Sequence, residues 1–134
     1  MPLPRSDFAP SELQKTVCVV DDDEPVAQSL QTLLESFGFK VLLYTSGTEF
    51  LDDERGRRAG RLVIDHHMPG ISGLDVVDSL RKQGVQIPTI LISGRLDGSL
   101  RRRAARLGVR ELLDKPVAAG RLVELIRTTL ADLA

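Results

Sequence analysis

The feature that most constrains this chain is an alternation of two hydrophobic periods. Five short apolar runs, at 17–20 (VCVV), 41–44 (VLLY), 62–64 (LVI), 89–92 (TILI) and 111–113 (ELL), are each followed by a longer amphipathic stretch. Short runs with β-branched residues and no polar alternation suit strands buried on both faces, as in a parallel sheet. The last run has no β-branched residue, so its strand reading rests on its place in the series. Val26, Leu30, Leu33, Leu34 and Phe37 fall on one face of a helix, with Pro25 fitting its first turn and Gly38 its stop. Ser46 with Glu49 opens a second, short helix as a capping box, and Ser72 with Asp75 opens a third. Leu96, Leu100, Ala104 and Leu107 stripe a fourth helix. Leu122, Leu125, Ile126, Leu130 and Leu133 stripe a fifth. The charged, glycine-broken run at 52–61 (DDERGRRAGR) reads as a solvated connection. The order is therefore βαβαβαβαβα. Its crossovers predict an α/β fold: an open, doubly wound, five-stranded parallel sheet.

At 134 residues the chain has room for one domain with a sizeable core. Residues 1–15 hold three of the seven prolines and no apolar period. They read as a flexible N-terminal leader with a short helical turn from Ser11, and 16–134 as the domain. A net charge of −1 argues against a globally basic nucleic-acid binder. One cysteine supplies neither an internal disulfide nor a multi-cysteine zinc site, and two adjacent histidines, His66 and His67, leave little for a histidine-rich centre. No apolar run approaches about 18 residues and no signal-type apolar region opens the chain, so no membrane span is expected and the default compartment is cytoplasmic.

The polar residues gather at the carboxyl ends of the expected strands. Asp21 and Asp22 follow the first, Asp65 the third, Ser93 the fourth and Lys115 the fifth. In a doubly wound sheet these ends are neighbours. Three carboxylates, a hydroxyl and an ammonium would then share one pocket. Close carboxylates either hold a proton or hold a cation, and an all-oxygen set favours a hard ion such as Mg²⁺. A carboxylate beside such an ion and a lysine is also a plausible nucleophile toward a phosphoryl group. Any one aspartate at a strand end is often only a helix cap, and Asp23 and Glu24 are read that way. Cys18 reads as a small buried hydrophobe. The arginines of 101–106 read as a solvated helix face, with an interaction surface as the alternative.

These residues, in VVDDDEPV (19–26), VIDHHMPGISG (63–73), TILISG (89–94) and LDKPV (113–117), resemble the receiver domain of bacterial two-component response regulators, and more loosely the receivers attached to LuxR-type DNA-binding domains. The resemblance implies a flavodoxin-like (βα)5 sheet of strand order 2-1-3-4-5. It implies Asp65 as phosphoacceptor, and Asp21, Asp22, Asp65 and the His67 main-chain carbonyl as Mg²⁺ ligands. Ser93 matches the switch hydroxyl and Lys115 the lysine that pairs with a phosphoryl oxygen, with a cis bond at Pro116. Gly94 matches the small residue that leaves the phosphoryl donor room. The implied partners are a sensor histidine kinase and an unknown downstream protein. The fourth helix and fifth strand form the implied homodimer face, without direct contact to nucleic acid or membrane.

Three positions depart from the family pattern. Leu112 stands where an aromatic switch residue is usual. His67 and Arg95, two residues beyond Asp65 and Ser93, flank the route of an attacking water. No output domain follows the fifth helix in this sequence; a single-domain regulator is the leading expectation, with a receiver cut from a longer chain as the alternative. The leading expectation is a phosphorylation-dependent signalling switch that catalyses only its own phosphorylation and dephosphorylation. The alternative is a phosphate-independent receiver-like interaction module, for which Leu112 speaks. A Mg²⁺-dependent hydrolase is disfavoured, because His67 stands where a second catalytic aspartate is needed and no phosphate-cradling G-x-x-x-x-G-K-[ST] motif occurs.

Overall fold

The computed structural model describes residues 10–133, and side-chain surroundings within 12–128. After a short α1 (Pro10–Leu13), the elements run β1 (Thr16–Val20), α2 (Glu24–Ser36), β2 (Lys40–Tyr44), α3 (Gly47–Asp52), α4 (Glu54–Arg57) and β3 (Arg61–Asp65). Then follow α5 (Gly73–Lys82), β4 (Thr89–Ser93), α6 (Gly98–Arg106), β5 (Glu111–Asp114) and α7 (Ala119–Leu133). All strand pairs are parallel, in the order β2-β1-β3-β4-β5. The five expected strands are all present, including the 111–113 run, which pairs with β4.

The two-residue period of the strands divides the core. Val17, Val19, Val41, Val63, Ile90 and Ile92 pack with Leu30 and Leu34 of α2 and Leu122, Val123, Leu125 and Ile126 of α7. Cys18, Val20, Leu62, Ile64 and Leu91 face the other way, against Phe50 of α3, Leu74, Val77 and Leu80 of α5, and Leu100 and Ala104 of α6. Every residue of β1, β3 and β4 is buried, as helices on both faces require. The edge strands β2 and β5 are more open.

Three expectations need correction. The 52–61 run is not a solvated connection. It contains α4, capped by Asp53, whose carboxylate accepts the Tyr44 hydroxyl at 2.8 Å and pairs with Arg55 at 3.0 Å. Gly56 lies so close to Phe50 and Tyr44 that a Cβ would approach both to 2.9 Å. Arg61 is only 1% exposed and donates to the Leu125 carbonyl of α7 at 2.9 Å. Asp53, Arg55 and Arg61 thus have local partners, while Asp52, Glu54 and Arg58 remain exposed. Secondly, the buried face of α2 is Ala27, Leu30 and Leu34; Val26 and Phe37 are exposed. Val26 lines a groove beside Pro116, and the Phe37 ring lies under the Arg127 guanidinium, 5.1 Å away. Thirdly, packing begins before residue 16. Leu13 is buried, its carbonyl accepts from Gly60, and Glu12 pairs with Lys40. Residues 1–9 of the expected leader, and the side chains of Leu130 and Leu133, lie outside the described residues.

Candidate functional site

β1 lies between β2 and β3, so the chain leaves it in one direction to β2 and later returns on its other side. The crevice at the carboxyl ends of β1 and β3 is therefore the switch point of the sheet. Asp21 extends β1 there, its N–H donating to the Tyr44 carbonyl at 3.1 Å. Its own carboxylate accepts the Asp23 N–H at 2.9 Å and folds the turn back. Asp22 is left exposed at the tip, and Asp23 caps α2 by accepting from Val26, as read from the sequence. Asp65 ends β3 and is 2% exposed. One ligand oxygen from each of Asp21, Asp22 and Asp65 lies within 4.8 Å of the others.

Lys115 reaches this cluster from the far edge. Its N–H donates to the Ser93 carbonyl at 3.1 Å, continuing the β4–β5 ladder, and its Nζ lies 3.0 Å from Asp65 Oδ2. The Lys115–Pro116 bond is cis, as the resemblance implies. Burial pushes the Asp21 carboxyl above its ordinary value, and the Asp65 and Asp22 charges add to that. Burial pulls Lys115 down, but its hydrogen bond to Asp65 and the charges of Asp65, Asp21 and Asp22 outweigh it. The ammonium is held above its ordinary value. Three acids against one ammonium leave the pocket short of positive charge, and the donors are all oxygens. Both features fit a hard divalent ion such as Mg²⁺. An open groove of about 640 Å³ runs from Asp21 and Lys115 past Val26, Leu30, Pro116 and Val117.

The loop after β3 closes tightly over Asp65. Gly73 N–H donates to the His66 carbonyl at 3.1 Å, and a Cβ on Gly73 would stand 2.7 Å from the Asp65 carbonyl oxygen. Only glycine fits that approach. The full capping box of Ser72 and Asp75 then starts α5. Asp75 also pairs with Arg103 of α6 at 2.8 Å, which together with its Ser72 contacts lowers its carboxyl to about 2.

Ser93 ends β4, fully buried, but its hydroxyl touches neither Asp65 nor Lys115. It is bonded to both main-chain polar groups of Arg95 and to the His67 imidazole, whose Nε2 is 2.9 Å away. The sequence reading had His67 flanking a water route; the contact with Ser93 was missed. No spacing or period in the sequence signals it, because the contact is made by a side chain reaching from the loop after β3 to the end of β4. Arg95 is exposed and lines a separate hollow of about 220 Å³ with His66, His67, Asp97, Ser99, Leu100 and Arg103. A Cβ on Gly94 would meet nothing within 4 Å. Leu112 faces Leu91 across the β4–β5 ladder and is half-buried against the core.

A family model described as the response regulator receiver domain matches residues 17–127. Among curated proteins, the response regulator protein TmoT of Ectopseudomonas mendocina is 37% identical over 90% of this chain and 54% of its own length. The transcriptional regulatory protein FixJ of Azorhizobium caulinodans is 38% identical over 88% of this chain and 56% of its own. The chain thus spans about half the length of these relatives. The crystal structure titled FixJ-N aligns with a TM-score of 0.79 at 32% identity, covering 97% of this chain and 98% of that one. A Francisella receiver domain aligns with a TM-score of 0.80 at 24% identity, over 90% of this chain and 99% of that one. No helix among the described residues is long and apolar enough to cross a membrane. The parallel sheet of order 2-1-3-4-5 and the acids at its switch point agree with these matches, and the chain belongs to the receiver domain family of two-component response regulators.

Proposed function

We propose that Asp65 accepts a phosphoryl group from the phosphohistidine of a sensor histidine kinase, making the chain a phosphorylation-dependent signalling switch. The observation that carries this reading is one buried carboxylate, Asp65, held 3.0 Å from an ammonium and within 4.8 Å of two further acids. An Asp65 oxygen forms the new O–P bond, and the kinase imidazole leaves with the electron pair of the N–P bond. Asp21, Asp22, Asp65 and the His67 carbonyl would hold Mg²⁺, which neutralises phosphoryl oxygens as charge builds. Lys115 is placed to pair with one of those oxygens, and Ser93 with another once it turns inward. New charge at Asp65 thereby biases β4 and its connection to α6. The reading implies a cytoplasmic protein, a downstream protein partner, and α6 with β5 as a homodimer face.

The experiment is phosphorylation by acetyl phosphate or a panel of histidine kinases, with Asp65→Asn as the control. Labelling of wild type alone supports the reading; equal labelling of the variant overturns it. Leu112 favours a second reading, a phosphate-independent interaction module, because no aromatic ring is present there to swing with the switch. An unlabelled wild type that still captures its partner would establish that reading instead.

A further inference from the structure

The Ser93 hydroxyl is fully committed before any phosphoryl group arrives. Arg95 N–H donates to Oγ at 3.0 Å, Oγ lies 3.0 Å from the Arg95 carbonyl, and His67 Nε2 lies 2.9 Å from Oγ. A serine hydroxyl offers one proton and two acceptor positions. If His67 donates, all three are filled. If His67 accepts, the single proton is already claimed by the imidazole or by the Arg95 carbonyl. In neither tautomer is a proton left for another oxygen. His67 is also tied to the acceptor carboxylate, since its main-chain N–H donates to Asp65 Oδ1 at 3.2 Å. One residue therefore touches Asp65 through its backbone and Ser93 through its ring. The imidazole is otherwise exposed, its ring edge-on to His66 at 5.0 Å, so no core packing accounts for its orientation.

We propose that His67 is a positioning residue that anchors the Ser93 hydroxyl away from the phosphoryl site, setting the threshold for the switch. Phosphorylation must break the imidazole–hydroxyl bond before Ser93 can reach the new oxygens. The inference rests on Asp65 as phosphoacceptor. A ligand that gains its full bond only by breaking another binds more weakly by the worth of the bond lost, and one hydrogen bond corresponds to about fivefold in an equilibrium.

The contact itself is tested in the metal-free protein by nitrogen-resolved NMR of the imidazoles. Ser93→Ala should move the His67 Nε2 resonance and leave His66 nearly unchanged. An unmoved His67 resonance overturns the proposal. The threshold is tested by titrating beryllium trifluoride, a phosphoryl mimic, with saturating Mg²⁺ and following the amides of β4 and α6. His67→Ala should bind the mimic about fivefold more tightly than wild type. His67→Gln, which keeps a donor near the Nε2 position, should stay near wild type. In a Ser93→Ala background, His67→Ala should have no effect. Unchanged or weaker binding by His67→Ala, or an equal gain without Ser93, overturns the proposal while leaving the phosphoacceptor reading intact. A wild type that fails to bind the mimic at all defeats both.

Discussion

Replacing Asp65 by asparagine in metal-free protein sets two repulsions against one attraction. The carboxylates of Asp21 and Asp22 offer oxygens within 4.8 Å of an Asp65 oxygen, and Lys115 Nζ stands 3.0 Å from Oδ2. At an effective dielectric constant of about 20, like charges 4.8 Å apart repel by about 3.5 kcal/mol, and an ion pair at 3.0 Å gains about 5.5 kcal/mol. Asp22 and the Lys115 head are both partly solvated, which discounts one member on each side. The two effects then nearly cancel, and asparagine keeps an oxygen for Lys115. The expected result in chelator is a stability within about 1 kcal/mol of wild type, or higher, which for a chain this long is about 4 °C in Tm. Mg²⁺ should separate the two proteins. At 100 times its Kd an ion adds about 2.7 kcal/mol, and Asp65→Asn removes one of three acidic ligands, so its gain should be visibly smaller. Urea unfolding in chelator and in saturating Mg²⁺ measures all four values. A loss above about 2 kcal/mol for Asp65→Asn in chelator would show that the Lys115 pair dominates and refute the charge balance. Equal Mg²⁺ gains in both proteins would show that Asp65 is not a ligand.

Other outcomes follow from single contacts. Gly73→Ala should cost about 1–3 kcal/mol in a denaturant melt and impair phosphorylation, because its Cβ would press on the Asp65 carbonyl; a neutral effect would mean that the loop can open freely. The lowered Asp75 carboxyl stabilises the fold above the ordinary carboxylate range, and the contribution is lost as the pH falls towards about 2. Asp75→Asn should therefore cost under about 1 kcal/mol at pH 7, a half-exposed pair, and nothing near pH 2. The family resemblance sets His67 and Arg95 beside the approach of an in-line water, and on that reading the aspartyl phosphate should hydrolyse slowly; decay of the phosphoprotein should quicken in His67→Ala and Arg95→Ala, and a wild type that decays within seconds refutes it.

The parts of this fold legible in sequence were those fixed by period and by chain order. Buried parallel strands show as unbroken apolar runs, so β1, β3 and β4 stand out, and even Glu111–Asp114 was placed by its position after four βα units. The aspartates, Ser93 and Lys115 were legible because strand ends are fixed points of the topology. The 52–61 run was misread because charge alone does not distinguish water from a nearby partner. Asp53, Arg55 and Gly56, which look solvated one by one, form a packed knot with Tyr44. Val26 was misread because it stands at the margin of the buried helical face, where the small Ala27 is buried in its place. The direction of the His67 ring was illegible for a related reason. It is set by a hydrogen bond across two strands, and no periodicity reports that.

Two effects are predicted for His67, and one variant would confuse them where two variants separate them. Obstruction acts on the water that attacks phosphorus. It predicts a faster decay in His67→Ala whether or not Ser93 is present, and a similar change from Arg95→Ala, whose side chain does not contact the hydroxyl. Anchoring acts on the hydroxyl itself. It predicts a change in the equilibrium for a phosphoryl mimic, only with Ser93 present, and none from Arg95→Ala beyond its charge, since Arg95 holds Ser93 through main-chain groups that the substitution keeps. The two effects also pull the signal in different directions. Loss of obstruction shortens the phosphorylated state, while loss of the anchor makes each phosphorylation event more effective. If both predictions hold, the proposed switch should be hard to throw and slow to reset.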